Sequence, residues 1–285
     1  MTTETLTRTT SARLARLDPV TTLAWGIFVT AMIIAVAGPW LATHDPMMFS
    51  AAMNEAPGNG HLLGTDDGGR DVFSRLMVGT GLSLFYGASA ALLALVLGAG
   101  TALLAMPLGK PVEYGLFAVV DLVRALPGIL FALAFIVAFE PGAFSVVLAL
   151  GVSFAPNFAI ITRATYQQQM AQSYTQAAKV LGAGPRRIAI MHVLPNIGGA
   201  LITQFAIILP RCIVAESVLS FLGLGASSEQ PTWGRMIAAA TPYMEGAPHA
   251  LLAPILALSA ITFALAIIGN AQRQRLTPAQ KRIPA

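Results

Sequence analysis

The chain has 285 residues, of which 55% are hydrophobic and 11% are charged, and its mean hydropathy is +0.69. Soluble domains carry about 25% charged residues, so this composition excludes a soluble globular fold and makes a lipid bilayer the expected solvent. The net charge of +4 does not indicate a nucleic-acid partner, because membrane proteins collect Lys and Arg on their cytoplasmic side. The single cysteine, Cys212, excludes an internal disulfide and a cysteine-based metal site.

Six stretches are long and apolar enough to cross a membrane, which requires about 20 largely apolar residues per helix. They are continuous and do not alternate as barrel strands do, so we expect an all-α polytopic membrane protein with six transmembrane helices. The first stretch lies too far from the N-terminus, and lacks the small-residue cleavage site, for a cleaved signal peptide. The predicted spans are Leu23–Leu41, Leu82–Ala105, Tyr114–Phe139, Ala143–Ile161, Ile197–Leu222 and Ala250–Gly269.

The spans also predict the division of the chain. One separate span comes first, and a core of five spans with a long polar loop follows it. The predicted parts are an N-terminal tail at 1–22, a first span at 23–41, an outer segment at 42–81, a core at 82–270 with its loop at 163–196, and a C-terminal tail at 271–285.

Basic residues predict the orientation. Six crossings place both termini on one side, and Lys and Arg are enriched in cytoplasmic segments. With both termini in the cytoplasm, the outer segments hold only Arg70, Arg75 and Arg235. The cytoplasmic segments then hold Arg8, Arg13, Arg16, Lys110, Arg163, Lys179, Arg186, Arg187, Arg273, Arg275, Lys281 and Arg282.

The outer segment carries a dense set of charges between His61 and Arg75. His61, Asp66 and Asp67 do not make a convincing ligand set, so no metal site is predicted. A short amphipathic helix is expected instead. Thr65 or Asp66 would cap it, and its apolar face, Val72, Phe73 and Leu76, would meet the bilayer. The other outer histidines, His44 and His249, are expected to be isolated.

Small residues and prolines mark the interior of the spans. Ser83, Gly87 and Ala91 are four residues apart, a spacing that lets a second helix approach closely. A proline within a span removes a backbone donor and tends to kink the helix. Such prolines are expected at Pro127, Pro156, Pro210 and Pro254.

Ionisable residues within spans cost about 2.5–3.5 kcal/mol each on insertion scales, so they are candidate functional groups. Asp121 and Arg124 are three residues apart and can pair on one helix face. Arg211 and Glu216 are turned about 140° from each other on a helix, so they are not expected to pair directly.

The polar loop at 163–196 has the pattern of two short helices. Residues 167–181 are rich in Gln, Ala and Lys, which favour helix, and Gly182 can adopt the left-handed conformation that ends one. A second helix is predicted over Pro185–Val193, and Leu194-Pro195 is expected to stop it before the fifth span.

This loop resembles the cytoplasmic signature of ABC importer permeases. The matching residues are Gln176-Ala177-Ala178, Gly182 and Leu194-Pro195, and two positions depart from the signature: Gln176 replaces an acidic residue and His192 an apolar one. Further resemblance to the dipeptide/oligopeptide/nickel branch is carried by His61–Arg75, Glu216–Gly225, Pro231–Gly234, Asp121, Pro127 and Gly269-Asn270.

The resemblance implies a type I importer permease in a bacterial inner membrane. It would pair with a second, different permease subunit, two ATPase subunits or domains, and an extracytoplasmic substrate-binding protein. The implied ATPase-coupling residues are Tyr174, Gln176, Ala177, Ala178, Gly182, Arg186, Arg187, His192, Leu194 and Pro195. The pathway or gate candidates are Asp121, Arg124, Arg211 and Glu216. The docking candidates on the outer side are Asp66, Arg70, Asp71, Arg75 and Trp233.

Arg211 admits three interpretations. It can face the pathway and attract a substrate carboxylate or form part of a gate, pair with the sister subunit, or pair with Asp121. For Asp121 and Arg124 the simpler interpretation is an intrahelical pair that helps membrane insertion.

No ATP site is expected in this chain. A phosphate-binding loop of the form Gly-x-x-x-x-Gly-Lys-Ser/Thr is absent, and the pair Gly109-Lys110 is followed by Pro111. There is also no nucleophile and base set. We therefore expect no enzymatic activity and no cofactor in this chain, with ATP and Mg²⁺ bound by the ATPase partners.

The expected substrate is a di- or oligopeptide. Nickel is the alternative within the class, but the predicted spans contain no histidine, and imidazole is a favoured Ni²⁺ ligand. A secondary transporter or channel is the alternative of another class. It would not need the paired helices of the loop and would often show inverted repeats, which the sequence does not show.

Overall fold

A computed structural model describes residues 19–276, except 226 and 228, and this part of the chain is mostly helical. The predictions for most of the N-terminal tail (1–18) and for the end of the C-terminal tail (277–285) lie outside the described residues. The helices are α1 (Pro19–Leu41), α2 (Val72–Ala105), α3 (Lys110–Ala125), α4 (Gly128–Phe139), α5 (Ala143–Met170), α6 (Ser173–Val180), α7 (Pro185–Ile188), α8 (Leu194–Phe221), α9 (Trp233–Ala240) and α10 (Pro248–Leu276).

The membrane-spanning pattern agrees with the sequence. Within the described residues, five helical stretches are long and apolar enough to cross a membrane, and the bent pair α3 and α4 adds a sixth if it crosses as one span. The chain is therefore an all-α, multi-pass membrane protein, as predicted.

The third predicted span, Tyr114–Phe139, is not one helix. α3 ends at Ala125, α4 begins at Gly128, and the two are bent by 96°. Leu126 is extended, with φ −91° and ψ 137°, because the ring of Pro127 disfavours the helical conformation of the residue before it. The kink predicted at Pro127 is thus a complete break between two helices, which together can still form one span. Pro156, Pro210 and Pro254 lie inside unbroken helices.

Leu194-Pro195 does not stop a helix, contrary to the prediction. α7 continues through a π-helical turn, Ala189–Val193, directly into α8. A π turn widens the helix locally, which accommodates the missing N–H of Pro195 without ending the helix. The second helix of the loop and the fifth span therefore form one rod from Pro185 to Phe221.

α2 is the central helix of the bundle and packs against α1, α5 and α8. Ser83 and Ala91 are fully buried, and a Cβ placed on Gly87 would lie 2.5 Å from Cγ1 of Ile213 on α8. This is the close approach that the four-residue spacing predicted.

The outer segment contains no separate amphipathic helix. Turns occupy residues 61–71, and α2 begins only at Val72, with Asp71 as its cap. The predicted bilayer contact of Val72 is also wrong, because this side chain is buried. A short helix that the sequence analysis did not predict, α9, lies in the second outer loop.

The tight contact between α2 and α5 gives a test. A Cβ on Gly98 would lie 2.1 Å from the backbone oxygen of Ala155, whereas a Cβ on Gly100 would meet nothing within 4 Å. We expect Gly98→Ala to destabilise the protein by about 1–3 kcal/mol through overpacking, measured by thermal unfolding in detergent.

Gly100→Ala is the matched control, since it makes the same chemical change two residues away. It should be neutral, or stabilising by up to about 1 kcal/mol through helix propensity. Equal stability of the two variants would contradict the described packing.

Candidate functional site

The polar insert, residues 171–193 between α5 and α8, is held against the ends of both helices. Ile188 and Val193 are buried in one cluster with Tyr166 of α5 and Ile197 of α8. Burying an isoleucine or valine side chain contributes about 1.5–3 kcal/mol. The insert is therefore packed onto the two long helices and is not a free linker.

Hydrogen bonds fix the start of α6 to the end of α5. The buried hydroxyl of Thr175 donates to the backbone oxygen of Gln169 at 2.9 Å, and Nε2 of Gln176 donates to the backbone oxygen of Met170 at 2.7 Å. A glutamate at 176 could accept but could not donate this second bond. The departure of Gln176 from the acidic signature thus has a structural role, and Tyr174 adds a hydrogen bond to the side chain of Gln169.

α6 ends at the glycine that the sequence predicts. Gly182 has φ 83°, the left-handed conformation that glycine adopts without strain. The backbone N–H of Gly182 donates to Lys179, and that of Ala183 donates to Ala178, which satisfies carbonyl groups at the helix end.

Two strongly exposed apolar side chains precede this glycine. Val180 is 88% exposed and Leu181 is 87% exposed. Ile190 and Met191 are also exposed. The sequence analysis did not single them out, although an apolar pair at the end of a polar helix was the available signal.

The remaining coupling candidates are also mostly exposed. Ala177, Arg186, Arg187, Leu194 and Pro195 are exposed, while Ala178 and His192 are half-buried. The ring of His192 lies 6.3 Å from the ring of Tyr174. The insert thus offers a mixed surface of apolar and basic groups.

A buried carboxylate that sequence reasoning missed joins the third span to the fourth. Glu113 of α3 is 4% exposed and accepts hydrogen bonds from Nε of Arg163 on α5 at 2.8 Å and from Nζ of Lys110 at 2.9 Å. The guanidinium of Arg163 also lies over the ring of Phe117, 4.3 Å from its centre. The signal in the sequence was an acidic residue directly before a predicted span, two residues after a proline.

Three of the four candidate ionisable groups in the spans have partners within the chain. Asp121 and Arg124 pair on one face of α3, with 3.7 Å between Oδ1 and Nη1, and both side chains are exposed. Glu216 is 1% exposed and accepts a hydrogen bond from Ser220 at 2.6 Å. It does not meet Arg211, as the helical angle predicted.

Arg211 is different, because it is exposed and has no hydrogen bond or ion pair to another described residue. It lines an open cavity of about 490 Å³ between α4, α5, α8 and α10. The polar side chains in this cavity are those of Arg211, Thr262 and Asn270, and the remaining lining is apolar. The pairing of Arg211 with Asp121 is not found.

The docking candidates of the outer segment are mostly buried and satisfy one another. Oδ2 of Asp66 lies 2.8 Å from Nε of Arg70 and 3.3 Å from Nε of Arg75. Arg75 is only 2% exposed and also donates to the backbone oxygen of Pro46 at 2.9 Å. These charges hold the outer segment against the start of α2, so they are not free to contact another protein directly.

Asp71, also buried, caps α2. Its Oδ2 accepts hydrogen bonds from the backbone N–H of Ser74 at 2.8 Å and from the Ser74 hydroxyl at 2.6 Å. Burial alone would raise the pKa of the Asp71 carboxyl, but the hydrogen bonds from Ser74 and His61 outweigh it and lower that pKa below its ordinary value. The carboxyl therefore remains ionised.

The histidines on the outer side are not isolated, contrary to the prediction. The rings of His44 and His61 lie 4.7 Å apart, and Nε2 of His249 lies 3.2 Å from the backbone oxygen of Thr65. Turns bring these residues together across the outer segment, which spacing along the chain could not show.

Trp233, the last docking candidate, is 1% exposed. Its backbone N–H donates to the hydroxyl of Ser83 on α2 at 2.9 Å. Nε1 of its ring has no hydrogen-bond partner among the described residues. Trp233 therefore packs the start of α9 onto the bundle.

The arrangement of helices matches a known transporter fold. A chain of the MetNI methionine ABC transporter, solved in inward-facing conformations, superposes with a TM-score of 0.57 at 16% identity, covering 71% of this chain and 96% of that one. The bundle, with its insert between α5 and α8, thus has the fold of an ABC importer permease.

Sequence similarity then gives the family. Residues 90–282 match the family described as binding-protein-dependent transport system inner membrane component. The glutathione transport system permease GsiD of Salmonella typhimurium is 33% identical over 92% of this chain and 88% of its own length. The di/tripeptide transport system permease DppC of Pseudomonas aeruginosa is 31% identical over 90% and 88%, respectively. The chain belongs to this family of ABC importer permeases, and it acts with an ATPase and a substrate-binding protein at a membrane.

Proposed function

We propose that this permease imports di- or oligopeptides as one half of a translocation pathway. The relatives named above transport dipeptides, tripeptides and glutathione, and the similarity to them covers nearly the whole chain. The observation in the structure that carries the proposal is Arg211, which has no partner in the described part of the chain and lies in an otherwise mainly apolar cavity. A peptide brings a carboxylate that such a group can bind.

The cavity favours peptides over nickel. None of its lining residues is a histidine, cysteine, aspartate or glutamate, the side chains that bind Ni²⁺, and Arg211 would repel a bare cation. A secondary transporter or channel does not agree with the family of the chain.

The second half of the pathway is a different permease subunit in this proposal. The cavity at Arg211 is open on one side, and α3 and α4 expose apolar residues such as Leu122 and Val137. A sister subunit would close the cavity and cover part of this surface. The N- and C-termini are cytoplasmic, which the distribution of Lys and Arg supports, so that the insert lies on the ATPase side.

The insert is the contact with the ATPases. Val180 and Leu181 would enter a groove on one ATPase subunit, with Arg186 and Arg187 beside it. Because the insert is packed on α5 and joined without a break to α8, a displacement of its tip would carry the cytoplasmic ends of both helices. ATP and Mg²⁺ are bound by the ATPases, and this chain performs no hydrolysis and holds no cofactor.

The substrate-binding protein docks on the outer segment, which gives it a rigid surface. Asp66, Arg70, Asp71, Arg75 and Trp233 would act by holding its shape, since they are nearly buried. The contacts themselves would come from exposed neighbours.

The coupling proposal gives a second prediction. We expect Leu181→Glu to weaken ATPase binding at least about tenfold, because burying an unpaired charge in place of a leucine loses the apolar contact and adds a desolvation cost. The measurement is the amount of ATPase subunit recovered when the permease is purified from cells through a tag on its C-terminus.

Met53→Glu is the control, since Met53 is also an exposed apolar residue, at 62%, but lies in the outer segment. It should retain the ATPase as the wild type does. Full retention by Leu181→Glu would contradict the proposed contact.

The role of Arg211 gives a third prediction. Arg211→Met should lower ATP-dependent uptake of a peptide with a free C-terminal carboxylate by about tenfold or more, since a hydrogen bond to a charged group contributes about 1.5–3 kcal/mol. Uptake of the same peptide with an amidated C-terminus should fall much less. Both are measured in proteoliposomes with the complete transporter.

Arg211→Lys is the matched control, because it keeps the positive charge and should keep part of the difference between the two peptides. Unchanged uptake of both peptides by Arg211→Met would exclude Arg211 from the pathway.

A further inference from the structure

Three segments of the outer side bring imidazole and carboxylate groups together at one point. His44 follows α1, His61 lies in a turn of the outer segment, and Asp71 caps the start of α2. One ligand atom from each residue can be chosen so that all three lie within 4.8 Å of one another. These are side chains that transition-metal sites use.

The distances within this cluster suit a shared ion. Nδ1 of His61 lies 2.9 Å from Oδ1 of Asp71, and Nδ1 of His44 lies 3.9 Å from Oδ2. In a tetrahedral zinc site with bonds of about 2.0–2.2 Å, ligand atoms are about 3.3–3.6 Å apart. The two observed distances lie on either side of that range, so small movements of the two rings would complete the geometry.

A hydrogen bond to Asp71 accounts for the position of only one of the two histidines. His61 can donate to Asp71 at 2.9 Å, but 3.9 Å is too long for a hydrogen bond between His44 and the same carboxylate. The two rings nevertheless lie 4.7 Å apart and tilted by 35°. Two imidazole rings beside one carboxylate form a set of donor atoms that a single cation can join.

The surroundings of the cluster provide the support that metal ligands usually have. Asp71 is oriented by Ser74 through its backbone N–H and its hydroxyl. The hydroxyl of Thr43 also donates a hydrogen bond to Oδ2 of Asp71, at 3.4 Å. Such outer contacts fix the orientation and tautomer of a ligand.

We propose that His44, His61 and Asp71 form a binding site for a first-row divalent cation, of which Zn²⁺ fits best, on the outer side of the permease. Two nitrogens and one oxygen disfavour Ca²⁺ and Mg²⁺, which take oxygen ligands. Only three protein ligands are present, which leaves a fourth position for water or for a donor from a docked protein.

An ion at this point would join three separate parts of the chain. It would tie the end of α1, the turn at His61 and the start of α2, next to the buried pair of Asp66 and Arg75. The His44 side chain is 44% exposed, so the ion can enter from the solvent. Bound zinc would therefore stiffen the outer segment against which a binding protein docks.

The test uses the full transporter complex, purified through a tag without histidine and stripped with a chelator. Zn²⁺ is then titrated in competition with a fluorescent chelator, and the bound metal is counted by mass spectrometry. We expect one Zn²⁺ per wild-type permease in excess of any held by the partner subunits. His44→Ala should bind this ion at least about tenfold more weakly, since even loss of an outer-shell partner costs about 10–100-fold.

Two further variants separate binding from folding. His61→Asn keeps a donor for Asp71 but removes the imidazole, so it should fold and lose the ion. His249→Ala removes a half-buried outer histidine that is not in the cluster, and it should bind Zn²⁺ as the wild type does. Zn²⁺ should raise the midpoint of thermal unfolding of wild type and His249→Ala only.

The proposal is overturned if the wild type binds no more Zn²⁺ than His44→Ala and His61→Asn, or if His249→Ala loses the ion equally. The result does not depend on the transported substrate, because metal binding is read without transport.

Discussion

Tyr166, Ile188 and Val193 meet in a buried cluster where the insert touches the end of α5, and the proposed coupling to the ATPases depends on this contact. A short helix on a flexible linker would absorb a push from a partner. Here the insert is packed on α5, hydrogen-bonded to it through Thr175 and Gln176, and continuous with α8. Force applied at Leu181 therefore acts on two long helices.

A different kind of interaction holds the outer end of the bundle together. Its segment has turns in place of helix, and its shape is held by buried charges: Asp66 between Arg70 and Arg75, and Asp71 on Ser74 and His61. Removing one partner of a buried ion pair typically costs about 3–5 kcal/mol, because the other charge is left without compensation. Different interactions thus hold the two ends in place, and between them Arg211, which has no partner among the described residues, faces an open cavity.

Much of the fold can be predicted from patterns along the sequence. Apolar length predicted the spans, the small residues around Gly87 predicted a close helix contact, and Gly182 predicted the end of α6. The predictions were less successful at prolines, because a proline in a helical segment can have more than one structural effect. Pro127 separates two helices, Pro195 follows a π turn within a continuous helix, and Pro156 lies in an unbroken helix. The packing around each proline decides which of these three outcomes occurs.

The site was predictable in part. The signature around Gln176 located the insert, but the exposure of Val180 and Leu181 depends on how the insert is packed. The outer charges were recognised as a dense group, yet their partners could not be known, because Asp66 meets Arg75 and His44 meets His61 only after the chain turns back. Glu113 and Arg163 are 50 residues apart, so their pairing needs the bundle itself.

The insert and α5 are expected to move as one body when the ATPases bind nucleotide. Spin labels at Val180 and Phe144, both strongly exposed, placed in a Cys212→Ser background, report the distance along α5 to the tip of the insert. A second pair, Val180 and the exposed Val137 of α4, shows whether the transporter has changed conformation. Between nucleotide-free and ATP-bound complexes in nanodiscs, the distance from Val180 to Phe144 should stay unchanged while the distance from Val180 to Val137 shifts. If the distance from Val180 to Phe144 changes with nucleotide, the insert moves independently of α5, and the proposed rigid coupling is wrong.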